Sequence, residues 1–196
     1  MSGSHLSKQF FELVKAIGES KSKQEEDRII AAEVSILKGK FAKKAKPSEM
    51  KEFLVRLIYC EMLGHDGSFG YIHAVQLSAR ENLVQKKTAY LACAQMLRPD
   101  HELRFMMVNQ LQRDLQSINH LQICTGLIAL AKLGTKDMIP AMIGLVAECL
   151  KNSEAVVRKK AIMVMHRFYQ LDNPSVEDYH DHFRRTLCDK DPRVMG

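Results

Sequence analysis

Apolar residues return every three or four positions along almost the whole chain, with polar residues between them. Phe10, Leu13, Val14 and Ile17 form one stripe, and Ile29, Ala32, Ile36 and Leu37 another. Leu54, Leu57, Ile58 and Leu63 follow, and Leu103, Met106, Met107, Leu111 and Leu115 repeat the spacing. That period lines up one face of an α-helix, and no stretch alternates apolar and polar for long enough to make a strand. Breaks fall at Gly18-Glu19-Ser20, Pro47, Gly64 to Gly70, Pro99, Gly134-Thr135 and Asn173-Pro174. Ser48, Ser68 and Ser153 stand where an N-cap hydroxyl would accept from a first-turn N–H. The pattern predicts an all-α chain of about ten helices, each roughly 12–17 residues, joined by short loops.

The pattern also repeats on a longer scale. Leu83 falls over Val156 and Lys86-Lys87 over Lys159-Lys160, a separation that fits two repeats. Asp191-Pro192-Arg193-Val194 falls over Ser153-Glu154-Ala155-Val156, a separation that fits one. A period of about 37 residues with two helices per repeat indicates a HEAT/armadillo-like α-solenoid, because one helix pair cannot bury its apolar face alone and must stack on its neighbours. About five helix pairs fit residues 1–196. Asp191 reads as the first turn of a further repeat, so the chain is expected to be part of a longer solenoid.

Composition narrows the reading without deciding it. The 196 residues are 46% hydrophobic and 27% charged, which excludes a wholly disordered chain. Lys and Arg number 29 against 23 Asp and Glu, a formal charge of +6 that permits an anionic partner without requiring one. No window of 18 uncharged apolar residues is present, and Met1 to Phe11 lacks the pattern of a secretory signal. Cys60, Cys93, Cys124, Cys149 and Cys188 are widely spaced, without a metal-type pair. Four of them lie in apolar helical runs and read as reduced core residues of a cytosolic protein.

Candidate chemistry is sparse. Gly64-His65-Asp66-Gly67-Ser68-Phe69-Gly70 is rich in glycine but follows a helix and matches no phosphate-loop pattern, so it reads as an interhelical turn. His180 and His182, near Asp178 and Asp181, are two apart and diverge on a helix, which makes a solvated face the reading and a shared metal unfavourable. No Gly-x-Ser-x-Gly elbow or partnered nucleophile occurs, so no catalytic residue, metal or cofactor is expected. Lys38, Lys40, Lys43, Lys44, Lys46 and Lys51 form the densest basic run, opposed by Glu49. It suits a solvated helix end. It equally suits an anionic membrane surface, where each lysine contributes roughly 1 kcal/mol. The run has no interleaved aromatics, so nucleic acid is not expected.

Residues 53–77 are more specific. Met62-Leu63-Gly64-His65-Asp66 followed by Phe69-Gly70 and Ala74 resembles the N-terminal trunk of the large subunits of heterotetrameric vesicle adaptor complexes, the adaptins. That family includes gamma, alpha, delta and epsilon chains. Val55 to Gly64, Glu26-Asp27-Arg28-Ile29, Val157 to Ala161 and Phe183 to Asp189 resemble the epsilon-type branch most closely. The likeness runs from about Lys8 to Gly196 and covers the first third or so of such a subunit.

The resemblance implies a curved α-solenoid that cups a sigma-type small subunit and assembles with a beta-type large and a mu-type medium subunit. It implies a non-enzymatic, cytoplasmic coat scaffold, peripheral on trans-Golgi and coated-vesicle membranes, recruited by a GTP-bound Arf-family GTPase to sort cargo. A gamma-like adaptor subunit is the nearest alternative. A nuclear-transport-type solenoid would call for acidic inner helices, which this basic chain lacks. By likeness to gamma chains, Ile72 and Val75 on the helix after Phe69-Gly70 would contact the GTPase switch regions. They would otherwise be core, with Tyr71 and His73 facing solvent. Lys43, Lys44, Lys46 and Lys51 would contact anionic membrane. Met50, Lys51 and Glu52 occupy the positions of a phosphoinositide-binding lysine cluster in alpha chains, so one basic residue of it is kept and only weak, salt-sensitive attraction is expected.

Overall fold

The computed structural model describes residues 7–195. Among them are eleven α-helices and no strand. The helices are α1 (Lys8–Gly18), α2 (Lys23–Phe41), α3 (Pro47–Met62), α4 (Tyr71–Ser78), α5 (Leu83–Met96), α6 (Leu103–Leu115), α7 (His120–Leu133), α8 (Ile139–Cys149), α9 (Ala155–Leu171), α10 (His180–Thr186) and α11 (Pro192–Met195). Three short 3-10 turns precede α4, α8 and α10. The lengths spread more widely than the apolar stripes predict, from 4 residues in α11 to 19 in α2. No helix among the described residues is long and apolar enough to cross a membrane.

The chain forms two compact units, Met1–Leu97 and Arg98–Gly196. In the first, α2 packs on α1 and α3, while α3, α4 and α5 pack on one another. Ile30, Leu37, Leu54, Leu57, Ala89 and Cys93 are fully enclosed there. Within this apolar interior the Arg56 guanidinium is held by the Glu33 carboxylate, with Nε donating to Oε1 at 2.6 Å. Arg56 Nη1 also donates to Gln9 Oε1 at 2.6 Å, so one cation ties α1, α2 and α3 together. Phe10 of α1 meets Tyr59 of α3 edge-on, with centroids 5.6 Å apart.

In the second unit α6 packs on α7 and α8, and α9 packs on α7, α8 and α11. Met107, Leu111, Leu127, Leu130, Leu133, Val164, Met165 and Phe168 are fully enclosed. The buried Arg104 donates from Nη1 to the carbonyl of Leu133 at 2.7 Å and so satisfies an acceptor at the C-terminus of α7.

Burial fixes the repeat register. Ala89, Ala92, Cys93 and Met96 of α5 are enclosed just as Ala161, Val164, Met165 and Phe168 of α9 are, position for position. Val157 and Val194 match in the same way, one repeat apart. Both matches fall one position short of letter matching, because residues that look alike, such as Lys86-Lys87 and Lys159-Lys160, differ in burial. In this register the enclosed Lys86 takes the place of Arg158, which donates to both carboxylate oxygens of Asp189 at 2.7 Å.

The helix starts also differ from expectation. Lys46, not Ser48, is the N-cap of α3, with Pro47 at N1 and Glu49 Oε2 accepting from Lys46 N–H at 2.8 Å. Asp66 accepts from Ser68 N–H at 3.1 Å, so Ser68 is the capped residue, and Asn152 does the same for Glu154 N–H at 2.9 Å. Ser153 makes no cap. Carboxylates and Asn took the roles assigned to serines because loop geometry, invisible in the sequence, decides which oxygen reaches a free N–H. Cys60, Cys93, Cys124 and Cys149 are buried and Cys188 is exposed. Burial pushes the Cys60 and Cys149 thiols up to about 11, which keeps them protonated at neutral pH.

The Glu33–Arg56 pair yields a test of the first unit. Glu33→Leu alone leaves a buried guanidinium without its carboxylate and should cost about 3–5 kcal/mol in urea unfolding. Glu33→Leu with Arg56→Met should recover most of that loss. A single variant as stable as the parent would contradict the assignment.

Candidate functional site

The glycine-rich turn owes its composition to packing. Gly64 adopts φ +91°, the one positive φ among the described residues, and this closes the C-terminus of α3. At Gly70 a Cβ would overlap Leu57 Cδ2 and approach the Phe41 ring. The 3-10 turn can therefore seat directly on α3, and α4 starts at the next residue. Phe41 is the hub of this junction. Its ring lies 6.0 Å from Phe53, 5.6 Å from Phe69 and 5.0 Å from His73, between ring centroids. Tyr71 and His73 are part-buried rather than solvent-facing. The Tyr71 hydroxyl donates to Glu61 Oε1 at 2.6 Å, and burial holds the His73 imidazole below the usual histidine range.

The basic run is divided by this junction. Lys38 Nζ lies 5.4 Å from the Phe69 ring centroid and Lys40 Nζ lies 5.0 Å from that of Phe53, so both are drawn onto aromatic faces. Lys43, Lys44 and Lys46 are exposed in the loop between α2 and α3, and Lys51 is part-buried within α3. Lys43 and Lys44 line a notch of about 230 Å³ together with Met50, His73, Gln76 and Arg80. Lys46 and Lys51 are not among its lining residues. Arg80 was missed in the sequence because it stands far beyond the end of the run, on the other side of α4. Its spacing from His73 and Gln76, two turns and one turn of helix, is the signal that could have found it.

Ile72 and Val75 occupy α4, but not the notch. Ile72 is part-buried and Val75 is 8% exposed, within the core of the first unit. Histidines 180 and 182 are not a common solvated face: His180 is exposed, whereas His182 is part-buried against Tyr179, with centroids 5.8 Å apart. No group of three metal-ligating side chains occurs among the described residues.

A larger feature lies on the second helix of each pair. Val84 and Leu91 on α5, Leu121 and Ile128 on α7, and Val156 and Met163 on α9 each stand two helical turns apart. All six are 41–50% exposed, and each pair occupies the same position in the repeat. On α3, which packs against α5, the half-buried Val55 and the exposed Met62 have the same spacing. Each unit thus presents apolar pairs from two adjacent second helices, α3 with α5 and α7 with α9, on the side opposite to their buried positions.

Residues 26–196 match the adaptin N terminal region, and the chain belongs to the adaptin family. Within that family it is similar to the N-terminal stretch of the epsilon subunit of the AP-4 complex. It is 48% identical to that subunit from Arabidopsis thaliana over 97% of this chain and 20% of the relative. The chain spans between 16% and 20% of the length of the curated epsilon relatives it matches. Among structures, a chain in a homology model of the full-length AP-3 complex superposes with a TM-score of 0.68 at 23% identity, over 76% of this chain and 26% of that one. A designed armadillo repeat protein superposes with a TM-score of 0.57 at 14% identity, over 94% of each. These likenesses bear out the all-α solenoid class.

Gly70 and Gly39 provide an internal comparison. Leu57 is fully enclosed and cannot yield space, so Gly70→Ala should destabilise by about 1–3 kcal/mol. A Cβ at Gly39 meets nothing within 4 Å, so Gly39→Ala in helix α2 should be neutral or stabilise by up to about 1 kcal/mol. Thermal unfolding of the two variants checks the order, and an equal effect would contradict it.

Proposed function

We propose that this chain is a non-enzymatic structural part of the large subunit of a heterotetrameric vesicle-coat adaptor complex. The repeated exposed apolar pairs on α5, α7 and α9 carry the reading. Scattered apolar residues are normal on a surface, but the same two positions left apolar on α5, α7 and α9 form a repeated surface suited to a partner. That partner is a sigma-type small subunit, within a complex that also holds a beta-type large and a mu-type medium subunit. Names and family membership support the coat role: the relatives are subunits of AP-4, and the chain shares their N-terminal region.

In this reading the complex sorts cargo at the trans-Golgi network and is recruited there by a GTP-bound Arf-family GTPase. Ile72, with Val75 behind it, contributes the docking position on α4. A GTP-ordered switch region offers the apolar surface that such a residue needs. Lys43, Lys44, Lys46 and Lys51 add attraction to anionic membrane, screened by salt.

Two experiments test these assignments. Co-expression with the sigma-type subunit should give a co-purifying pair, and Leu91→Glu with Ile128→Glu should abolish it while helix content by circular dichroism stays unchanged. Retained co-purification would remove the apolar pairs as the docking surface. Ile72→Glu should abolish GTP-dependent capture of the GTPase without unfolding, whereas Val75→Glu should lower thermal stability because its side chain is enclosed. GTP-dependent capture unaffected by Ile72→Glu would rule out docking there.

A further inference from the structure

The junction of α3 and α4 encloses half of a carboxylate. Glu61, in the last turn of α3, accepts from the Tyr71 hydroxyl through Oε1 at 2.6 Å. Its Oε2 is shut away from solvent and has no hydrogen-bond partner among the described residues. One other side-chain atom among them shares that state, Nδ1 of His182, a ring nitrogen whose need for a partner depends on the tautomer. The buried Gly67 closes the enclosure. A Cβ there would stand 2.7 Å from Oε2 and 3.3 Å from Leu57 Cδ1, so the loop backbone lies directly over the carboxylate. That approach leaves no width for a bridging water on the loop side. No cation answers the charge. The groups that face Glu61 are Tyr71 from α4 and Asp66 from the loop, and Asp66 repels it. Lys38 acts on Asp66, and His65 Nε2 lies 3.5 Å from Asp27 Oδ1. Among the described residues no ion pair reaches Glu61 from α2 or α5, which also pack on α3. Burial therefore holds the Glu61 carboxyl above the usual carboxylate range. Asp66 differs: it accepts from the Ser68 N–H and hydroxyl and is held below that range.

We propose that Glu61 and Tyr71 form a proton-responsive clasp that sets how firmly α4 and the Gly64–Gly70 loop seat on α3. With Glu61 protonated, one oxygen accepts from Tyr71 and the enclosed oxygen belongs to a neutral group, so the closed junction carries no buried charge. With Glu61 ionised, the charge lies under the Gly67 backbone and beside Asp66 with no cation to offset it, and lifting the loop lets water reach Oε2. The closed form therefore holds the proton more tightly than the open form. By linkage the closed form is favoured at low pH, and that advantage is lost as pH rises through the value for the closed form. Tyr71 is the first residue of α4 and Ile72 the second, so the clasp governs the residue proposed above for GTPase contact. Its regulatory meaning rests on that reading, whereas the clasp itself does not.

Two measurements on the full chain test it. The Glu61 side-chain carboxyl carbon, followed by NMR in the unaltered protein, should titrate above the ordinary value of about 4.3. Hydrogen exchange over 64–78, corrected for the intrinsic pH dependence of amide exchange, should become several-fold faster as pH rises through that titration. Exchange over 103–115, in the second unit, should show no such step. Glu61→Gln keeps an acceptor for Tyr71 and removes the charge, so it should hold exchange over 64–78 at the slow, acid level at every pH. Tyr71→Phe removes the hydrogen bond and should speed opening about tenfold at neutral pH. Asp66→Asn removes the repulsion and should move the step to lower pH. A Glu61 carboxyl that titrates at or below the ordinary value overturns the clasp, and that result needs no variant to fold. The same pH step persisting in Glu61→Gln also overturns it. Both measurements are made without a partner, so failure of GTPase docking at Ile72 leaves them unmoved, and failure of the clasp leaves the Ile72→Glu test intact.

Discussion

A helix that is apolar on more than one side must be covered on more than one side, and the second helices of this chain are built under that constraint. On α7, Ile123, Cys124, Leu127, Leu130 and Leu133 are buried within the unit, while Leu121 and Ile128 remain on the outer face. On α9 the same division separates Val157, Ala161, Val164, Met165 and Phe168 from Val156 and Met163. Stacking of neighbouring pairs satisfies the first set. The second set remains 41–50% exposed among the described residues. Roughly 25 cal/mol of stabilisation per Å² of apolar surface is available to a partner that supplies it.

The polar groups inside each unit serve alignment. Arg56 could not be enclosed without Glu33 and Gln9, and their geometry sets how α1, α2 and α3 meet. Arg104 plays a related part at the end of α7 by taking up a carbonyl that no helical N–H can reach. At the Phe41 junction the steric demand is reversed. Gly70 is needed because Leu57 leaves no room, and the aromatic rings then position α4 beside the lysine loop. Ile72, Val75, His73 and Gln76 thus lie on one short helix whose placement depends on a glycine.

Much of the fold was legible because helical periodicity and a repeat of about 37 residues are properties of the letters themselves. The breaks at Gly64 to Gly70 and Pro99 were equally plain. The break at Gln116 to Asn119 was not, since it contains neither Gly nor Pro, and Asn119 caps α7 there through its own side chain. The register was off by one because Lys86-Lys87 and Lys159-Lys160 look alike but are not equivalent in burial. The candidate site was less legible. Val75 has the chemistry of a contact residue, but its environment is the core. Arg80 joins Lys43 and Lys44 only through the path of α4, which no spacing within the basic run reveals. The apolar pairs were hidden for a different reason: in the sequence they are part of the same stripes as the core, and only the structure shows which members face out.

Hydrogen exchange with mass spectrometry, comparing the chain alone with the chain co-expressed with a sigma-type small subunit, tests the central claim most directly. The account predicts added protection over 83–96, 120–133 and 155–171, the second helices that carry the exposed apolar pairs, and little change over 103–115 and 139–149. Protection confined to those first helices, or none on the second helices of a pair that does co-purify, would contradict it.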